Sequence, residues 1–405
     1  MYRNFFLLTI LAALCALTGC TDGNRNEPEG QAKYIFLFIG DGMGQAQVAA
    51  TESYLAYQNG ELGGIGRLSF TKFPYLGMAT TFSANKNITC SSAAGTALAT
   101  GSKTNNSMLG ETPDGKELES FTYRLKDKGY RIGIISNVPV NHATPASFYA
   151  NAKSRKDYYE ISLQVPESGF DYFAGDGFLD FNGKDGKKED IDRIIEGKGY
   201  TISYGMEEYN AEKGAEKLIL CQKDNRKSDS ENYVVKHTEE EEISLKEMVE
   251  TAIDRFSADG KPFFIMAEGG TIDWAGHNNR TMPMTEKVLE LDEAVKEAYA
   301  FYLKHPDETL IVVTADHETG GLTLGCGKGE NIKWDMLENA WKAAGKKDII
   351  GDEENAKLNK SANIGWSTGG HTGIPVPVYA VGHGAEMFSG CYDNTDIPKK
   401  IMRGE

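Results

Sequence analysis

Several stretches of this chain are almost entirely apolar, and most run directly into glycine or charge. YIFLFIG at 34–40 meets DGMG, RIGIISN at 131–137 meets VPVNHATP, and FFIMAEGG at 263–270 meets TIDWAGH. TLIVVTADHETGG at 309–321 is β-branched up to its acidic end, and VPVYAVG at 376–382 follows GGHTG. Near-continuous apolar runs belong to strands buried on both faces, not to strands with one wet face. Helical patterns lie between them. ISLKEMVETAIDRFS at 243–257 repeats its apolar residues with a 3.6 period, and Glu239 to Glu242 ahead of it complement a helix N-terminus. TEKVLELDEAVKEAYAFYLK at 285–304 predicts a second helix. This alternation predicts an α/β fold, a three-layer α/β/α sandwich around a central, mostly parallel sheet. Residues about 180–237 and 326–362 break the rhythm and read as surface insertions, the second with one predicted helix, NIKWDMLENAWKAA.

A chain of 405 residues suits one large domain with insertions or two domains, and we assign residues 33–405 to one domain. Its net charge of −16 disfavours nucleic acid as a partner, because phosphate backbones repel such a surface. A small anionic substrate stays compatible, since bound metal ions reverse the local field. Residues 1–20, MYRNFFLLTILAALCALTGC, read as an export signal: Arg3 precedes an apolar run too short for a confident membrane span. Its LTGC end resembles a bacterial lipoprotein signal, which would place lipid on Cys20 and the protein at the cell envelope. Residues 21–32 then form a flexible tether. Of the 6 cysteines, Cys90, Cys221, Cys326 and Cys391 remain in the exported part, where bridges are open to them without a defined pairing.

In open α/β sheets, sites form outside the carboxyl ends of the strands. Those ends carry Asp41, Glu268, Asp316 and His317. Asp273 and His277 follow at helical i, i+4 spacing, and His371 sits in the glycine-rich STGGHTG turn. A lone histidine is ordinarily a satisfied polar residue. Here, of only 7 histidines in the chain, three stand beside carboxylates in such loops. Mixed imidazole and carboxylate ligands suit zinc, while carboxylates and hydroxyls suit magnesium.

The ordered segments LFIGDGMG, TCSSAAGTALATG, HATPASFYANAKSR, EGGTIDWAGH, TADHETGG and GGHTG together resemble the alkaline phosphatase family. The resemblance runs from about Tyr34 to Gly382, with the two insertions unmatched. It implies hydrolysis of small phosphate monoesters at alkaline pH through a phosphoserine, with two zinc ions and one magnesium. Asp273, His277 and His371 match the first zinc site, and Asp41, Asp316 and His317 the second. Asp41, Thr144 and Glu268 match the magnesium site, with His142 two residues before Thr144 where some members have Asp. Ser91 matches the nucleophile, and Arg155 the arginine that grips two phosphate oxygens. Members of the family are commonly homodimers.

Cys90 stands where well-known bacterial members carry Asp, and Trp274 where others have Lys or His. We read Cys90 as a buried structural or tuning residue. A sulfatase of the same superfamily is the nearest rival, since CSSAA begins like its cysteine signature; the arginine position of that signature is Ala94 here. A phosphodiesterase is a second rival, disfavoured by the third metal set. A lipoprotein that binds metal or phosphate without turnover is a third, disfavoured by the nucleophile and the complete two-metal set.

Overall fold

The computed structural model describes residues 30–62, 68–223, 242–346 and 351–403. The export signal with Cys20, most of the tether, and Glu239 to Glu241 lie outside the described residues.

The strands are β1 Tyr34–Gly40, β2 Tyr75–Thr80, β3 Arg131–Ser136, β4 Tyr172–Gly175, β5 Thr201–Tyr204, β6 Leu218–Cys221 and β7 Phe263–Gly269. They continue with β8 Thr309–Thr314, β9 Glu318–Thr319, β10 Leu322–Leu324, β11 Ile364–Trp366, β12 His371–Thr372, β13 Val376–Gly382 and β14 Gly390–Asp393. Ten of them form one sheet in the order β14-β2-β13-β8-β1-β7-β3-β4-β6-β5. Only β13 runs antiparallel, against both β2 and β8. The predicted runs at 34–40, 131–137, 263–270, 309–321 and 376–382 supply the five central strands. All of β1, β7 and β8 is buried, as their unbroken apolar character requires.

Helices cover both faces of the sheet, and neighbouring residues of β7 show why. Phe263 points to Phe256 and Phe301, with ring centroids 5.9 and 5.4 Å away, on the helices Leu245–Ser257 and Thr281–Tyr302. Phe264 points the other way, to Phe121 and Phe148 at 5.1 and 6.4 Å. Side chains alternate along a strand, so a run apolar at every position needs a helix layer on each side. Truncating either ring to alanine would cost about 3–5 kcal/mol. The Leu245–Ser257 helix starts at a capping box, in which Ser244 Oγ accepts from Glu247 N at 3.2 Å and the Glu247 carboxylate accepts from Ser244 N at 2.8 Å. That pair supplies a local start signal.

The stretch read as an insertion at about 180–237 is partly built into the sheet. Its strands β5 and β6 extend the edge beyond β4, in parallel. At four residues each, they are too short to show a period. The second stretch leaves the sheet. It carries the predicted helix as Trp334–Ala343 and another at Asp352–Ser361, and it is closed by the antiparallel pair β10–β11. Cys90, Cys221, Cys326 and Cys391 are all free thiols.

Candidate active site

The central strands β8, β1, β7 and β3 end at one level. Ile39 pairs with Thr314 on one side and Glu268 on the other, and Ser136 also pairs with Glu268. The residues that follow therefore emerge together. Asp41 leaves β1 with its N–H on Gly269 O at 3.2 Å. Gly42 turns the chain with φ +72°, and its N–H donates to Asp316 Oδ1 at 3.1 Å. A Cβ there would lie 2.7 Å from Thr319 Oγ1, so only glycine lets the two turns touch. Beyond β7, Asn137 Oδ1 accepts from Gly270 N at 2.8 Å and Thr271 N at 3.3 Å. This fixes the start of the Thr271–His277 helix, one turn of which presents Asp273 and His277 together.

The folded chain gathers the expected ligands into three groups: Asp273, His277 and His371; Asp41, Asp316 and His317; and Asp41, His142 and Glu268. In the first, His277 Nε2 lies 3.2 Å from Asp273 Oδ2 and 3.1 Å from His371 Nε2. Both rings are oriented through Nδ1, which donates to Gly369 O at 2.7 Å in His277 and to Thr89 O at 2.8 Å in His371. In the second, His317 Nε2 lies 3.4 Å from Asp41 Oδ1 and 3.1 Å from Asp316 Oδ2. The Thr319 hydroxyl donates to Asp273 Oδ1 and stands 3.2 Å from His317 Nδ1, as its acceptor. One threonine thus joins the two groups and leaves the His317 Nε2 lone pair facing the carboxylates. Glu268 accepts from Ser136 Oγ. Thr319, Asn137 and Ser136 escaped the sequence reading because each acts through a neighbour.

Ser91 is the first residue of the Ser91–Thr100 helix, with Cys90 as N-cap. Its Oγ is 3.3 Å from His317 Nε2 and accepts from Arg155 Nη1 at 3.3 Å. Ser92 lies behind it, buried, its hydroxyl 3.2 Å from Cys90 Sγ. Gly95 lets this helix seat on the Ala143–Ala146 helix, where a Cβ would be 2.6 Å from Ser147 Oγ. Thr144 rides on that second helix with a buried hydroxyl.

The electrostatics of the cluster call for cations. Asp41, Glu268 and Asp316 are 0% exposed and Asp273 only 4%. Burial, with Asp316, Asp273 and Glu268 close by, pushes the Asp41 carboxyl well above the usual range. Burial likewise lifts Glu268 to about 7, against the Ser136 hydrogen bond, and Asp316 to about 8, with Asp273 adding to it. Burial works to raise Asp273 too, but its hydrogen bond to His277 and the charge of the surrounding imidazoles hold it low. The Asp273 hydrogen bond in turn raises His277 to about 9. Among the described residues, both Asp41 oxygens, Asp316 Oδ2 and His142 Nδ1 have no hydrogen-bond partner. An uncompensated buried carboxylate costs several kcal/mol, and divalent ions at these groups would remove that cost. The donor sets fit: imidazole with carboxylate for zinc in the first two, mainly oxygen in the third. The third is the poorer site. Arg155 Nη2 donates to His142 Nε2 across 3.0 Å, so a neutral ring keeps its proton on Nδ1. Burial, with Arg155 beside it, pulls His142 down to about 3.

A parallel sheet that gathers buried carboxylates, imidazoles, a helix-start serine and an arginine at its strand ends defines a metal-dependent hydrolase. The alkaline phosphatase family profile matches residues 32–227, 227–349 and 335–404. Alkaline phosphatase 4 of Bacillus subtilis is 31% identical over 94% of this chain and 90% of its own length, and alkaline phosphatase 3 of the same organism is 29% identical. Among solved structures, the alkaline phosphatase of the Antarctic bacterium TAB5 superposes with a TM-score of 0.74 at 30% identity, covering 93% of this chain and 98% of that one. The cold-active Shewanella enzyme reaches 0.78 at 26% identity, covering 91% and 99%. The chain belongs to the alkaline phosphatase family and is an enzyme of that family.

Proposed function

We propose that this enzyme hydrolyses small phosphate monoesters in two displacements at Ser91. The position of Ser91 carries the reading: its oxygen meets Arg155 and the His317 group at 3.3 Å each, at a helix N-terminus. In the first displacement Ser91 Oγ attacks phosphorus in line, a Ser91–phosphorus bond forms and the bond to the leaving alcohol breaks. In the second, water attacks from the vacated side and Ser91 is released with inorganic phosphate. Arg155 offers a planar fork of donors to the non-bridging oxygens. The N-terminus of the helix that begins at Ser91 also favours the anion. Asp273, His277 and His371 would hold one zinc ion and Asp41, Asp316 and His317 a second, with Asp41, Glu268, Thr144 and His142 around a magnesium ion. When bound, these ions would acidify the serine hydroxyl and the attacking water and balance charge on the transferring group.

Release of p-nitrophenol from its phosphate ester at alkaline pH, abolished by a chelator and restored by zinc, is the expected result. Faster turnover of the sulfate ester or of the bis-ester would overturn the reading. We also infer export and lipid attachment at Cys20, on the LTGC segment, with residues 33–405 forming one catalytic domain.

A further inference from the structure

We propose that Glu318 is a positioning residue that locks the two histidine-bearing turns together and so sets the spacing between the first two metal groups; this rests on the metal assignment above. Glu318 follows His317 of the second group, and Thr372 follows His371 of the first. The short strands β9 and β12 pair these residues, Glu318 opposite Thr372 and Thr319 opposite His371. The Glu318 side chain is 2% exposed and spans the pairing. Its Oε1 accepts from Gln47 Nε2 at 2.6 Å, Gly321 N at 2.9 Å and Leu322 N at 3.3 Å. Its Oε2 accepts from Gly321 N at 3.2 Å and from the Thr372 hydroxyl. Gln47 belongs to the Gln45–Gln58 helix, which follows the Asp41 turn, and the same Nε2 donates to Thr319 O at 2.8 Å. One carboxylate therefore ties together the segments that carry Asp41, His317 and His371.

Every group facing Glu318 in these bonds is a donor. A carboxylate, with acceptor sites on both oxygens, satisfies them all. The isosteric amide would turn an N–H2 toward other N–H groups. The fit is also close, since a Cβ on Gly44 would lie 2.3 Å from Glu318 Cγ. Gly44 thus makes room for this side chain, as Gly42 makes room for Thr319.

The test is zinc affinity, measured with zinc alone by competition with a chromophoric chelator on the full chain. Glu318→Gln is expected to weaken zinc binding about 10- to 100-fold, the usual effect of removing a partner that orients metal ligands. Its kcat on p-nitrophenyl phosphate should fall more than its KM rises. Should Glu318→Gln fail to fold, Thr372→Val removes only the cross-strand donor and is expected to weaken zinc binding several-fold. Folded variants whose zinc affinity stays within about twofold of the parent would overturn the proposal, even if their metal-free melting temperature drops. A parent that binds zinc but does not release p-nitrophenol would sink the proposed function and leave this measurement readable.

Discussion

The backbone N–H of Ser107 donates to the sulfur of Cys90 across 3.1 Å. Ser107 holds a left-handed φ of 74°, and its carbonyl accepts from Arg155 N at 2.8 Å. Cys90, the residue before Ser91, is thus connected to Arg155 through one constrained turn. Burial acts to raise the Cys90 thiol, but its bonds from Ser92, Ser107 and Ala93 leave it net lowered. Cys90 occupies the N-cap position of the Ser91–Thr100 helix, and its sulfur accepts from Ser107 N. Cys90→Ala should retain turnover while the inhibition constant for inorganic phosphate rises about fivefold, the worth of one hydrogen bond near 1 kcal/mol. Cys90→Ser, which keeps an acceptor, should restore it. Loss of all turnover in Cys90→Ala would instead favour the cysteine chemistry of sulfatases.

Ser91→Ala should lower kcat by at least about a thousandfold, because the Ser91 hydroxyl stands between Arg155 Nη1 and His317 Nε2. Arg155→Lys keeps the charge and loses the fork. Its KM and its phosphate inhibition constant should both rise about tenfold or more. Near-parental kinetics in either variant would contradict the assigned roles.

Metal removal should reverse the effect of pH on stability. In the metal-free protein Glu268 and Asp316 are raised to about 7 and 8, so the folded state keeps protons that the unfolded chain has already lost. Their contribution declines as pH climbs through those values. His277, raised to about 9, adds stability below its unfolded value that is lost as pH passes 9. All three have one sign, so the chelated protein should melt lower at pH 9 than at pH 7.5. With zinc bound the carboxylates are ionised and the imidazoles neutral, and the difference should vanish or invert. Differential scanning calorimetry at the two pH values checks both arms.

The third group should respond to one substitution. His142→Asp replaces an imidazole occupied by Arg155 with a hard oxygen donor. Magnesium affinity should rise, read by calorimetric titration of the zinc-loaded protein. Unchanged magnesium binding in His142→Asp would place the third ion elsewhere.

Lipid attachment has its own readout. The full chain expressed in a bacterial host should partition into the detergent phase, and Cys20→Ser should move it to the aqueous phase. Identical partitioning of the two would refute attachment at Cys20.

The central strands, the Leu245–Ser257 and Thr281–Tyr302 helices, and the carboxylates and imidazoles that the fold gathers into three groups were legible in the chain by itself. Double-sided burial leaves an unbroken apolar run, and ligand residue types cluster where such runs end. The four-residue strands β5 and β6 were not legible, because they are too short to carry a period and gain their place by pairing with β4. The small residues of SSAAGTALATG were legible as close packing but not in their purpose. Gly95 seats one helix on another, and the same contact holds Ser91 and Thr144 at the site. Thr319, Glu318 and Gln47 carry no signal that distinguishes them from surface polar residues. Their work depends on two turns 274 positions apart, joined by Gly42 N on Asp316. Sequence determined which groups could bind metal and phosphate. The tertiary structure decided which nitrogen of each imidazole is free, and how far apart the groups stand, because both depend on hydrogen bonds between strand ends that meet only in the folded sheet.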